Sequence, residues 1–371
     1  MYFKLNGIDI KTSDIDLDMF DSGEYSNQPI IEQNENIKSS VDYEDIGEEN
    51  VYLLAELEEV LIPGSDRELV EAITLLYSKE LAKGNDSVLV EINKLIEIKK
   101  SHPEFVITKS DFPFFNHNNG LHLSSSEINI ISHELGHVFH YYLTNDKTPF
   151  EFDELINRLY NDPKLLKRVE IFSNNMLGLE ETINARIDKD YEKWSNEYYT
   201  NDKLDELKEF VECSKEDKIE KYIKLGYTRD ELEVILDESY TLEQYMECHK
   251  RIECNERVYN IMSVSYSEVQ AISDIIDAIY GGEYYNSKLK TIDGKTIKGT
   301  FGHGMMYYYS KDVIFQEIFA NYCLLLKSDR KDESLSILKD IIGEDLLLLL
   351  DNFYNEELLN SSKYERSSMI L

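Results

Sequence analysis

Cysteine, proline and tryptophan are scarce in this chain of 371 residues, which holds four, six and one of them. Four cysteines (Cys213, Cys248, Cys254 and Cys323) are too few for a disulfide framework at this length, so the core must come from apolar burial. Cys248-His249 with Cys254 follows no standard zinc spacing, and buried or reduced thiols are the expectation. Positive charge is short as well: 39 Lys and Arg face 73 Asp and Glu, a net charge of −34. So acidic a surface repels phosphate backbones and anionic lipid, which argues against nucleic acid or a membrane as partner and weakly favours basic peptides. No run approaches the ~18 uninterrupted apolar residues of a spanning helix. Met1-Tyr-Phe-Lys-Leu-Asn6 lacks the basic start and apolar stretch of a signal peptide, so a cytoplasmic chain is expected unless a dedicated machine exports it.

Histidine is also rare, yet three of the eight fall in the nine-residue stretch Ser132-His-Glu-Leu-Gly-His-Val-Phe-His140. It contains H-E-x-x-H. On a helix, His133 and His137 leave the same face one turn apart and can grip one metal ion. Zinc accepts imidazole nitrogen and keeps an open position when a protein supplies three ligands, and Glu134 stands where it can take a proton from a metal-activated water. Ser124-x-x-Glu127 has the form of a capping box, and Ile128, Ile131, Leu135, Val138 and Tyr142 recur at helical spacing. The two histidines lie roughly opposite that stripe, with His140 on their side. Gly136 costs a helix about 1 kcal/mol relative to Ala, which close approach of another element to the metal face would explain. Gly120 to Ser124 reads as a short strand, suited as a sheet edge that holds an extended peptide.

Taken in order, Met1 to Ile10 with Asn6-Gly7 predicts a hairpin. Lys11 to Asn50 is acidic and poor in apolar clusters, an arm extended or flexible in isolation that reads equally as a plain disordered tail or as a segment that orders on a partner. Helical periodicity covers 51–61, 66–83 and 86–100, with breaks at Pro63-Gly64 and Gly84-Asn85. Phe112-Pro-Phe-Phe115 marks a loop pinned by aromatics. From Glu151 to Arg257 the chain is charged, tyrosine-rich and helical, and its charge runs read as solvated faces. Ser265-x-x-Glu268 opens a helix over Val269 to Tyr280 that ends at Gly281-Gly282. A hairpin around Asp293-Gly294, a glycine-flanked loop carrying His303, and helices over 312–327, 333–342 and 345–359 complete the chain.

The order H-E-x-G-H, then S-D-I-I-D-A-I-Y-G-G (Ser273 to Gly282), G-H-G-x-x-Y-Y (Gly302 to Tyr308) and E-I-F-A-N-Y (Glu317 to Tyr322) resembles the zinc-peptidase-like region of phage minor head and head-morphogenesis proteins. It is also similar to the catalytic domain of the anthrax lethal factor family, where H-E-F-G-H precedes E-F-F-A on a later helix. The resemblance spans roughly Leu121 to Tyr354, interrupted by the helical insertion, and leaves out residues 1 to 120. It implies an α+β, mainly helical fold. Together with the residue patterns of 1–119, the expected layout is an N-terminal hairpin and acidic arm (1–50), a helical layer (51–119), and a zincin-like catalytic domain (120–371) with a small sheet and a helical insertion at 151–257.

The resemblance further implies Zn²⁺ held by His133, His137 and Glu317, Glu134 as general base, and a tyrosine before the third ligand that stabilises the oxyanion. Tyr307, Tyr308 and Tyr309 are consecutive, and the family spacing falls nearest Tyr309. Glu181, 44 residues after His137, is the other candidate ligand; Glu317 follows at 180 residues. Apolar Ile314, Phe315, Ile318 and Phe319 around Glu317 predict a buried carboxylate that needs a cation, and Asn321 one turn on can support it. Glu180-Glu181 sits instead in a charged helix. His303, between two glycines, is a candidate oxyanion donor.

The implied activity is that of a zinc metallopeptidase (gluzincin type) of phage or prophage origin, or a toxin-like hydrolase. Its partners would be a protein or peptide substrate and, through the N-terminal arm, phage or particle structural proteins. The competing expectation is a structural component of a virion or secretion particle that retains zinc without turnover.

Overall fold

The computed structural model describes residues 46–118, 120–144, 148–223 and 267–355, with strand residues 2–5 and 8–11 and scattered helical residues between 229 and 254. Strands β1 (Tyr2–Leu5) and β2 (Ile8–Lys11) pair antiparallel with Leu5 opposite Ile8, the hairpin that Asn6-Gly7 predicts. Residues 12–45 of the expected acidic arm, the Ser265 cap and the chain beyond residue 355 lie outside the described residues.

Three helices follow: α1 (Glu48–Leu61), α2 (Arg67–Ala82) and α3 (Val88–Ser101). Asp66 caps α2 by accepting from the N–H groups of Glu68 and Leu69. Their apolar faces, among them Leu57, Leu61, Ile73, Ile92 and Leu95, are fully buried. The small sheet comes next, with β3 (Val106–Lys109), β4 (Phe114–Asn116) and β5 (Gly120–Leu123) in the order β3-β5-β4. β5 runs parallel to β3, Val106 opposite Gly120, and antiparallel to β4, Phe115 opposite Leu121. The strand expected at Gly120 to Ser124 is therefore present, but it is central and not an edge. Both of its backbone sides are already paired, and among the described residues the open antiparallel edge belongs to β4.

Helix α4 (Ile128–Thr144) carries H-E-x-x-H. It begins later than the Ser124 capping box predicts. The Leu123 carbonyl still accepts from Ser110 N–H at 2.9 Å, which holds the chain extended to the end of β5. The side chain of Ser125, not Ser124, then accepts from the N–H of Glu127. Helices α5 (Phe152–Tyr160) and α6 (Pro163–Tyr198) lead into α7 (Asn201–Glu212) and α8 (Lys215–Ile223). Later in the chain come α9 (Ser267–Ile279), α10 (Lys311–Leu326), α11 (Lys331–Ile342) and α12 (Glu344–Phe353). Between α9 and α10 a turn at Asp293-Gly294 is closed by the antiparallel bridge of Lys290 with Thr296, as the sequence predicts.

The described residues are mainly helical, with a small three-stranded sheet besides the β1–β2 hairpin. It forms two compact units, Met1–Asn175 with Ser267–Leu371, and Met176–Tyr266. The division falls within α6, so α5 belongs with the unit that holds H-E-x-x-H. Its buried face of Phe152, Leu155, Ile156 and Leu159 explains why, with the Phe152 ring 4.8 Å from Phe315. The helices of residues 51–101 belong to that unit too. No described helix is long and apolar enough to cross a membrane.

The centre of the first unit is the pair α4 and α10, flanked by α9. The two helices meet where a side chain is missing: a Cβ on Gly136 would stand 2.6 Å from the Cα of Ala320. A buried ion pair outside the site anchors α10 at its other end. Lys327 Nζ lies 2.8 Å from Glu91 on α3, and the Tyr77 and Tyr354 hydroxyls donate to the same carboxylate.

Candidate metal centre

The crossing of α4 and α10 places His133 and His137 over Glu317. The Nε2 atoms of the two histidines are 3.2 Å apart. His133 Nε2 is 3.1 Å from Glu317 Oε1, and His137 Nε2 is 3.6 Å from Oε2. Ligands about 2.1 Å from a tetrahedral zinc stand roughly 3.4 Å from one another, so this triangle has the dimensions of one face of a zinc site. Glu317 is 1% exposed. Glu134 is buried beside it, and its Oε2 is without a hydrogen-bond partner. An orphaned carboxylate oxygen next to a ligand triangle fits a site built to hold a cation and the water it activates.

The local sequence builds each part. α10 starts at Ser310, whose hydroxyl accepts from Val313 N–H, and its apolar residues Phe315, Ile318 and Phe319 sink the helix so that Glu317 goes in with them. Asn321, one turn on, donates to the Glu317 backbone carbonyl at 3.0 Å and reaches its Oε1 at 3.4 Å, the support expected of it. The His303 loop is clamped by Asp277, which accepts from Gly304 N–H at 3.0 Å and from Tyr285 N–H at 2.8 Å. Both glycines have positive φ, and a Cβ on Gly302 would strike the Asp277 carboxylate, so no other residue fits there without strain.

Clamped in this way, His303 points its Nε2 at Glu317 Oε1, 3.2 Å away, and at Asp274 Oδ2, 3.6 Å away. The three tyrosines after it diverge. Tyr307 stacks on His303 and donates to Glu317 Oε2 at 2.9 Å, and Tyr308 is buried and donates to Asp274 Oδ1 at 2.9 Å. Tyr309, the one nearest the family spacing, is 81% exposed. The tight turn closed by Tyr307 N–H on Gly304 O, followed by the extended cap at Ser310, turns the first two inward and the third out. Tyr307 therefore holds the place expected of Tyr309.

His140 shares the histidine face by sequence count, but it lies one turn past the site and is buried among Phe315, Phe319 and Phe353. Glu181 is exposed on α6, as its charged surroundings predict. Of the described thiols, Cys254 and Cys323 are buried and Cys213 is partly exposed; Cys248 is outside the described residues.

Asp274 is the residue the sequence reading missed. It sits in α9 among Ile272, Ile275, Ile276 and Ile279, all buried, and takes a hydrogen bond from Asn321 at 2.7 Å besides the one from Tyr308. Its signal was available: an acidic residue inside an otherwise apolar helical run needs a partner.

The electrostatics follow from burial and proximity. Burial raises Glu134 to about 7, against the pull of His133. It raises Asp274 to about 7 as well, with the Glu317 charge adding to the rise. In His133 burial acts to lower the pKa, but Glu317 outweighs it and the imidazole is raised to about 9; His303 is raised to about 9 by the same balance. His137, where burial prevails, is lowered to about 4. Burial works against ionisation of Glu317, yet the histidines around it hold its carboxyl well below the usual range. Comparison of the chain with protein-family models, with curated proteins and with solved structures finds no match.

Proposed function

We propose that this chain is a zinc-dependent endopeptidase of the glutamate-ligand zincin type, related to the phage minor head and lethal factor peptidases that its motifs resemble. The single observation that carries the reading is the triangle of His133, His137 and Glu317, with edges of 3.1 to 3.6 Å, beside the unpartnered Glu134 Oε2. Zinc held by those three residues would supply Lewis acidity, polarising a scissile carbonyl and the water that attacks it. Glu134 accepts the proton of that water and delivers it to the leaving amine. Tyr307 presents its phenol at the edge of the triangle, where it donates to the developing oxyanion. The substrate chain, expected to align on β5, aligns instead on β4, the open antiparallel edge, which packs on α4 through Phe115 and the rings of Tyr141 and Tyr142.

A particle component that keeps zinc only for its fold has no use for a buried carboxylate without a partner, which is why turnover is the preferred reading. The test is hydrolysis of an unfolded protein substrate by the wild type, by the wild type with chelator and by Glu134→Gln. Glu134 is not a ligand, so the variant should keep its zinc and lose turnover by roughly 10³-fold. Absence of zinc from wild-type protein purified without chelators would remove the basis of the proposal.

A further inference from the structure

Glu317 belongs to two ligand groups, not one. Besides the triangle with His133 and His137, its carboxylate lies within 4.8 Å of ligand atoms of Asp274 and His303, which are themselves that close to each other. Two edges of this second triangle, both from His303 Nε2, match those of the first: 3.2 Å to Glu317 Oε1 and 3.6 Å to Asp274 Oδ2. A histidine that served only as an oxyanion donor would turn its N–H to the open side of the cleft. Here the Asp277 clamp on Gly302 and Gly304 aims it inward at two carboxylates.

Charge points the same way. Glu134, Asp274 and Glu317 are all buried, and ionised carboxylates gathered away from water need cations close by. One dication leaves a negative excess when all three are ionised and the imidazoles are neutral ligands. Asp274 is also oriented as ligating carboxylates commonly are, each oxygen fixed by a donor behind it, Tyr308 on Oδ1 and Asn321 on Oδ2. Each oxygen keeps a second lone-pair position for a metal.

We propose that Glu317 is shared between two cation positions, the first completed by His133 and His137 and the second by Asp274 and His303, the second taking a divalent transition metal of the zinc class. Paired metals bridged by a carboxylate stand about 3.5–4 Å apart and clamp both oxygens of a reacting group. The mixed nitrogen and oxygen donors of the second position suit zinc, manganese or cobalt, and it should be the weaker of the two, because His303 is partly open to solvent while His133 and His137 are more enclosed. The proposal rests on the zinc reading of the first triangle, and the two can fail separately.

The experiment is zinc titration of full-length protein stripped by chelator and returned to chelator-free buffer, with bound metal counted by elemental analysis and a competing indicator excluding loose surface binding. Wild type should bind about two zinc ions per chain, in two steps of different affinity. His303→Gln, in a partly exposed loop, and Asp274→Asn should each bind about one, with the tighter step unchanged and the melting profile confirming that the chain is folded. About one zinc in the wild type, unchanged in both variants, would overturn the second position and make Asp274 and His303 hydrogen-bonding partners of Glu317. No zinc in the folded wild type would overturn both positions together.

Discussion

Gly136 on α4 and Ala320 on α10 meet so closely that the glycine's absent Cβ would lie 2.6 Å from the alanine's Cα. Contact between backbones at this point sets the distance from the histidines to Glu317. Gly136→Ala should therefore push the helices apart, costing about 1–3 kcal/mol by overpacking although alanine is the better helix former. Denaturant unfolding checks the sign: a stabilised variant would mean the helices separate freely. Zinc affinity should fall with stability, because the same displacement opens the ligand triangle.

A second prediction separates the tyrosines. Tyr307→Phe removes the phenol that reaches Glu317, while Tyr309→Phe alters a side chain in solvent. Turnover should fall by about 10²-fold in the first and stay level in the second, with zinc content unchanged in both. Equal loss in the two variants would contradict the placement.

The buried pair of Lys327 and Glu91 predicts a strong single-mutant effect. Lys327→Met leaves a buried carboxylate with only the Tyr77 and Tyr354 hydroxyls beside it, and should cost about 3–5 kcal/mol in urea unfolding. Adding Glu91→Gln should restore part of that loss. If the double variant is no more stable than Lys327→Met, the charge of Glu91 is not what makes the single change costly.

Alkaline stability follows from burial of acids. Cys323 is pushed up to about 12 from 9.0 and Tyr284 to about 12 from 10.0, both by burial. The folded chain keeps these protons after the unfolded chain has lost them. Their contribution is complete below about pH 9 and is lost as the pH rises towards about 12. Unfolding free energy measured across that interval should decline steadily, and a flat profile would show that these groups are exposed.

Much of the site could be read in the sequence, and the reasons are physical. H-E-x-x-H carries its own geometry once helical, and Gly136 signalled the close crossing. Glu317 betrayed itself by its apolar neighbours. The glycines around His303 marked a strained loop, but not its direction, which depends on Asp277 across the chain. The choice among Tyr307, Tyr308 and Tyr309 rests on a turn closed by Gly304, and the order of strands on a pairing between β3 and β5 that no local pattern encodes. Nor could the sequence show that Glu91 and Lys327, 236 residues apart, share one buried pocket.

The most direct measurement is zinc affinity in Glu317→Ala and Glu181→Ala, each compared with the wild type by competition with a metallochromic indicator. If the metal is held where α4 crosses α10, Glu317→Ala weakens its binding by about 10²-fold or more and Glu181→Ala leaves it unchanged. Retention of full affinity in Glu317→Ala, with loss in Glu181→Ala, would contradict the account.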